Sequence, residues 1–117
     1  MAIKEGTLLW EPSTSMKEQA NLTQYMRWLA QEKELHFSDS ERLWAWSVDH
    51  LEDFWASLWN YFNIKASQPY TSVLANRTMP GAQWFAGARL NYAEHALRNK
   101  TDQHPAIISQ SETRPLT

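Results

Sequence analysis

The sequence contains no cysteine, which removes disulfides, thiolate nucleophiles and thiolate metal sites together and fits a reducing compartment. It has only three glycines in 117 residues. That scarcity leaves no loop able to cradle a phosphate, and no GxxxxGK[ST], GxGxxG or GxSxG pattern is present. Charge of one sign is lacking too: the formal net charge is −2 and the pI about 6.1, with Lys and Arg spread along the chain. A nucleic acid or an anionic membrane would find no electrostatic footprint. No run approaches the ~18 apolar residues of a spanning helix, and the opening MAIKEGTLLWEPS has no signal-peptide core. The chain therefore reads as soluble and cytoplasmic. The N-x-T sequons at Asn21, Asn76 and Asn99 would matter only after secretion.

What is abundant is aromatic residues, seven of them tryptophan. After an extended arm whose Leu8, Leu9 and Trp10 are expected to dock on the body, helical periodicity begins. Ser15 and Glu18 form a capping-box pattern, and Leu22, Tyr25, Met26 and Leu29 recur on one helix face. Ser38, Asp39 or Ser40 could cap a short helix carrying Leu43, Trp44 and Trp46. Ser47 then reads as the N-cap of the clearest helix, with Trp46 and Leu51 as a hydrophobic staple and Asp49, Glu52 and Asp53 loading its first turns. Leu51, Phe54, Trp55, Leu58 and Phe62 make a stripe whose full burial would contribute on the order of 10 kcal/mol before entropy is set against it. Asn63 is the expected stop.

Residues 64–80 read as an ordered connector. Trp84 and Phe85 then sit between Gly81 and Gly87, an aromatic anchor on a turning backbone. Asn91 and Glu94 have the spacing of a reciprocal cap for a helix starting at Tyr92 and ending at the basic Arg98, Asn99, Lys100. TDQHP is a turn. Ala106, Ile107 and Ile108 read as a short buried strand, and SETRPLT as a hairpin turn with Leu116 opening a second strand whose sheet the chain does not complete. The expected fold is mainly α, several helices packed together with a short C-terminal β-strand or hairpin.

The residues able to carry chemistry are few. His36, His50, His95 and His104 are scattered and none has the spacing of a paired ligand set. His50 with Asp53 could share a helix face, but one such pair does not hold a metal. Asp49, Glu52 and Asp53 could be offered as acid–base carboxylates, yet a helix start explains them as dipole partners. Arg89 and the amides before Tyr92 could receive a phosphate, except that Asn91 already takes those amides as a cap. The tryptophans could form a sugar-stacking platform, but most follow helix spacing and belong to packing. No catalytic, cofactor-binding or metal residue is assigned.

Four blocks closely resemble one family in order along the chain: LLWEPS (Leu8–Ser13), NLTQYMRWLA (Asn21–Ala30), LWAWSVDHLEDFWASLWNYFNI (Leu43–Ile64) and MPGAQWFAGARLNYAEHALR (Met79–Arg98). They are similar to the N-terminal region of acetoacetyl-CoA synthetases, relatives of acetyl-CoA synthetase among the adenylate-forming enzymes. His95 stands where the family's LNYAEN carries Asn. The resemblance implies a helical N-terminal cap over residues 1–98 and the start of an adenylation domain over 99–117. It implies a ligase reaction in the intact enzyme, in which acetoacetate and Mg-ATP give an acyl-adenylate and CoA then displaces AMP. ATP, Mg and CoA are implied for that enzyme, not for this chain, because the family's phosphate loop and catalytic lysine lie beyond Thr117. The implied partner is the remainder of the enzyme, with self-association through exposed aromatics as a consequence of its absence. The alternative expectation is a stand-alone helical interaction module without enzymatic activity.

Overall fold

The computed structural model describes residues 4–104 and 107–113. The fold is mostly helical with a small antiparallel hairpin: α1 (Thr14–Gln19), α2 (Asn21–Lys33), α3 (Ser40–Asp49), α4 (Leu51–Tyr61), β1 (Ser72–Asn76), β2 (Gln83–Ala86) and α5 (Tyr92–Ala96). The chain forms two compact units, divided between Phe62 and Asn63.

In the first unit the expected single N-terminal helix is two. Ser13, not Ser15, is the N-cap of α1, its hydroxyl accepting from the Met16 amide at 3.3 Å. Ala20 breaks the helix by adopting extended backbone (ψ 138°). The carbonyls freed at the break do not stay bare: Thr23 Oγ1 donates to Lys17 O at 2.6 Å, and Gln24 and Arg27 donate to Glu18 O. Helix α2 ends at Glu34 in left-handed backbone (φ 56°), with the Leu35 amide returning to Leu29 O at 3.2 Å.

Asp39 caps α3 as expected, accepting from the Arg42 amide at 2.9 Å. That helix runs ten residues, longer than the short helix expected, and absorbs Ser47. The Ser47 cap and the Trp46–Leu51 staple are thereby corrected. Ser47 Oγ donates back to Trp44 O at 2.7 Å, so its hydroxyl is satisfied inside the helix and does not stop it. His50 (φ −121°, ψ 57°) makes the break and α4 begins at Leu51 without a side-chain cap. Asn63, at φ 47°, ends α4 where expected.

Tyr25, Leu29 and Leu43 form the buried centre of this unit, with Leu29 fully inaccessible and Phe54, Leu58, Trp46 and Tyr61 packed around them. The aromatic contacts are mostly edge-on, as ring quadrupoles prefer: Tyr25 meets Phe54 at 6.4 Å and Tyr61 at 5.1 Å. Two burial expectations fail. Trp10 is 67% exposed, so the arm does not dock its aromatic tip, and Phe62 is 51% exposed, so the α4 stripe is only partly covered. One neighbouring layer can cover one face of a helix, and this stripe wraps beyond it.

The second unit contains strands where a connector was expected. β1 and β2 pair antiparallel, Ser72 opposite Ala86 and Leu74 opposite Trp84, with an irregularity between Leu74 and Asn76. The ribbon continues below them through Ser67, Gln68 and Arg89. Gly87 closes it at φ +83°, where a Cβ would meet Thr71 Cγ2 at 3.4 Å. The C-terminal strand is corrected: Ile107 and Ile108 lie in no strand and are largely exposed, with no described neighbour to pair with. Ala106, and the second strand expected at Leu116, lie outside the described residues. Of the expected TDQHP turn, Thr101–His104 does turn, the His104 amide reaching Thr101 O, while Pro105 lies outside the described residues.

Candidate functional site

Helix α5 starts at Tyr92 as the sequence spacing predicts. Asn91 Oδ1 accepts from the Glu94 amide at 3.1 Å. The other half of the expected reciprocal cap is replaced: Glu94 Oε1 pairs with Lys65 Nζ at 3.1 Å, tying the helix to the segment before β1. His95 completes that tie. Its Nδ1 faces the Lys65 amide at 3.4 Å and the Arg98 guanidinium at 3.3 Å. Both groups can only donate, so Nδ1 must accept and the ring proton belongs on Nε2. Arg98 also donates to Asn63 O at 2.7 Å. His95 and Arg98 are thus fasteners, and Asn91 already holds the amide an anion would need.

The first unit holds an open cleft of about 450 Å³ lined by Lys33, Leu35, Trp46, His50, Asp53 and Ser57 among others. Ser57 is the one buried polar residue of this unit among the described residues. Its Oγ donates to Phe54 O at 2.7 Å and therefore accepts from the Tyr25 hydroxyl. Burial pushes the Tyr25 phenol above its ordinary range, so Tyr25 remains a protonated donor. Ser57 consequently has its proton committed to a carbonyl rather than to a base. A hydroxyl so arranged holds two helices together and is not activated as a nucleophile.

The remaining candidates do not converge. His50 Nδ1 lies 3.9 Å from Asp53 Oδ2, both side chains well exposed. The i, i+3 pairing anticipated for them is present. No group of three His, Asp or Glu side chains able to hold a metal comes together among the described residues. Asp49, expected in the first turn of a helix, lies in the last turn of α3, while Glu52 and Asp53 do fall in the first turn of α4. Arg89 is fixed through its backbone, donating to Gln68 O and accepting from the Ser67 amide. His36 borders a shallow cleft beside Phe37, and His104 belongs to its turn.

What the structure offers instead is surface. Trp44 is 65% exposed and Val48 47%, four residues apart on α3. Exposed aromatics are expected from the sequence, but which residues they are is not legible there. The signal that could have found them is the width of the apolar sector on α4, too broad for a single neighbour. No helix among the described residues is long and apolar enough to cross a membrane.

The family model described as acetyl-coenzyme A synthetase N-terminus matches residues 40–96. The acetoacetyl-CoA synthetase of Gallus gallus is 32% identical over 112 residues, covering 94% of this chain and 16% of that protein. The malonamoyl-CoA synthetase of Penicillium aethiopicum is 39% identical over 74 residues, 57% of this chain and 10% of that one. Among solved structures, acetoacetyl-CoA synthetase from Streptomyces lividans aligns with a TM-score of 0.72 at 46% identity, covering 77% of this chain and 14% of its own. The chain spans about a sixth of the length of the synthetases it matches.

Proposed function

We propose, from the premise that this chain belongs to the N-terminal region of the acetoacetyl-CoA synthetase family, that it is the non-catalytic cap of an acetoacetate-CoA ligase. The observation carrying this reading is similarity that runs over 94% of the chain yet meets only 16% of the relative. Residues 1–98 make up the cap and 99–117 begin the adenylation domain. In the intact enzyme, acetoacetate, ATP and CoA give acetoacetyl-CoA, AMP and diphosphate, with Mg accompanying ATP. The residues present here do not fit those groups: the α5 amide is capped by Asn91, and the described carboxylates and histidines do not converge. No step of the reaction is routed through this chain. Its contribution is packing, the exposed apolar side chains of α3 and α4 being surface that a larger body would cover.

The malonamoyl-CoA synthetase among the relatives supports placing acyl selectivity elsewhere, since a similar stretch of sequence accompanies a different acid in its name. The test is direct. Purified chain incubated with acetoacetate, Mg-ATP and CoA is expected to release no diphosphate above the uncatalysed background. Acetoacetate-dependent diphosphate release by the chain alone would overturn the non-catalytic reading.

A further inference from the structure

The cleft of the first unit carries opposite charges on walls that come from different helices. Along α4, Asp53, Ala56 and Asn60 recur at the i, i+3, i+7 spacing of one helix face, and all three line the cleft. Trp46 of α3 lines it too. Lys33, the last residue of α2, and Leu35 just beyond that helix complete the wall.

The polar groups on this wall are not engaged with one another. Lys33 enters no ion pair or side-chain hydrogen bond among the described residues, and the Asn60 side-chain amide enters none either. Asp53 meets only the His50 ring, at 3.9 Å. One cleft of about 450 Å³, within the range of small-molecule sites, is therefore lined by a lysine and an aspartate that do not pair. A lone cation entering it would be repelled by Lys33 and a lone anion by Asp53. An uncharged ligand would strip water from both charges and return a partner to neither. What answers both is one molecule with an ammonium at one end and a carboxylate at the other.

We propose that this cleft binds a small ω-amino-acid zwitterion, with its ammonium on Asp53, its carboxylate on Lys33 and its methylene chain against Trp46, Leu35 and Ala56. Asn60 both donates and accepts, so it can serve either end. Lys33 closes α2 and Asp53 stands in the first turn of α4, and the two do not reach ion-pair distance. That separation favours a ligand whose charges sit at opposite ends of a chain over an α-amino acid, whose charges are adjacent. The site lies wholly within the first unit and does not depend on the cap role.

The experiment titrates the full 117-residue chain with 6-aminohexanoate, hexylamine and hexanoate at matched ionic strength and follows its amide and indole NMR signals. Saturable shifts are expected at the Trp46 indole, the Ala56 amide and the Asn60 side chain, with a Kd in the millimolar range. 6-Aminohexanoate is expected to bind about fivefold more tightly than either singly charged analogue, the gain from one further exposed ion pair. In Asp53→Asn it should bind no better than hexanoate, and in Lys33→Met no better than hexylamine, with signals outside the cleft unchanged. The comparison of the three ligands on the parent chain holds whether or not a variant folds. Absence of saturable shifts, equal binding of hexylamine and the zwitterion by the parent chain, or shifts centred on the exposed Trp44 and Val48 would each overturn the site.

Discussion

At the residue scale the most informative side chain is Ser57, because a buried hydroxyl must be explained by what it satisfies. It accepts from Tyr25 and donates to Phe54 O, and the two partners respond differently to its loss. Tyr25→Phe leaves Ser57 bonded to the carbonyl and is expected to cost about 1 kcal/mol. Ser57→Ala strands the buried phenol and is expected to cost more, about 1–3 kcal/mol, in urea unfolding. Equal costs would show that the hydrogen bond is not shared as the geometry implies. The raised Tyr25 value also has a sign. The folded state holds the phenolic proton more tightly than the unfolded state, so this contribution is complete below an unfolded value of about 10 and is lost as pH rises through the folded one. Thermal midpoints should fall in that alkaline window, and Tyr25→Phe should flatten the fall.

At the element scale, ends were more legible than breaks. The α5 start could be read because Asn91 and Glu94 leave one local solution, and the α4 stop because Asn tolerates left-handed backbone. The α3–α4 boundary was misread because Ser47 can serve a helix as a cap or as an interior residue bonded to a preceding carbonyl, and only the tertiary path decides. The hairpin was missed because Val73–Ala75 and Gln83–Ala86 are too short for a clear period. The Pro80–Gly81 dipeptide between them was the available turn signal. Asp39 provides the element-level test. Hydrogen bonds from the Arg42 amide and then the Ser38 hydroxyl hold its carboxyl below the usual range, so its support of α3 is present above an unfolded value of about 3.9 and fades as pH falls through the lowered one. Asp39→Asn keeps the cap and should remove that acid dependence, whereas Asp39→Ala should lower the melting temperature by roughly 3–6 °C at neutral pH. Identical melting curves for Asp39→Ala and the parent would remove the cap from the account.

At the scale of the whole molecule, the chain resembles a part more than a finished surface. The family could be read from four blocks that keep their order along the chain. Which faces stay open could not, since an amphipathic pattern records that a face is apolar and not whether the same chain covers it. An apolar face in solvent should bind anilinonaphthalene sulfonate without denaturant, and Trp44→Ser with Val48→Ser should reduce that fluorescence by at least about half. Unchanged fluorescence would place the exposed surface elsewhere. The central claim, that this chain serves a ligase by covering its body, is tested most directly by acetoacetyl-CoA formation in the Streptomyces lividans synthetase carrying this chain in place of its matched region. The account predicts a rate within about tenfold of the parent enzyme, a barrier change of about 1.4 kcal/mol or less, against a far larger loss when the region is deleted. A folded chimera no more active than the deletion would contradict it.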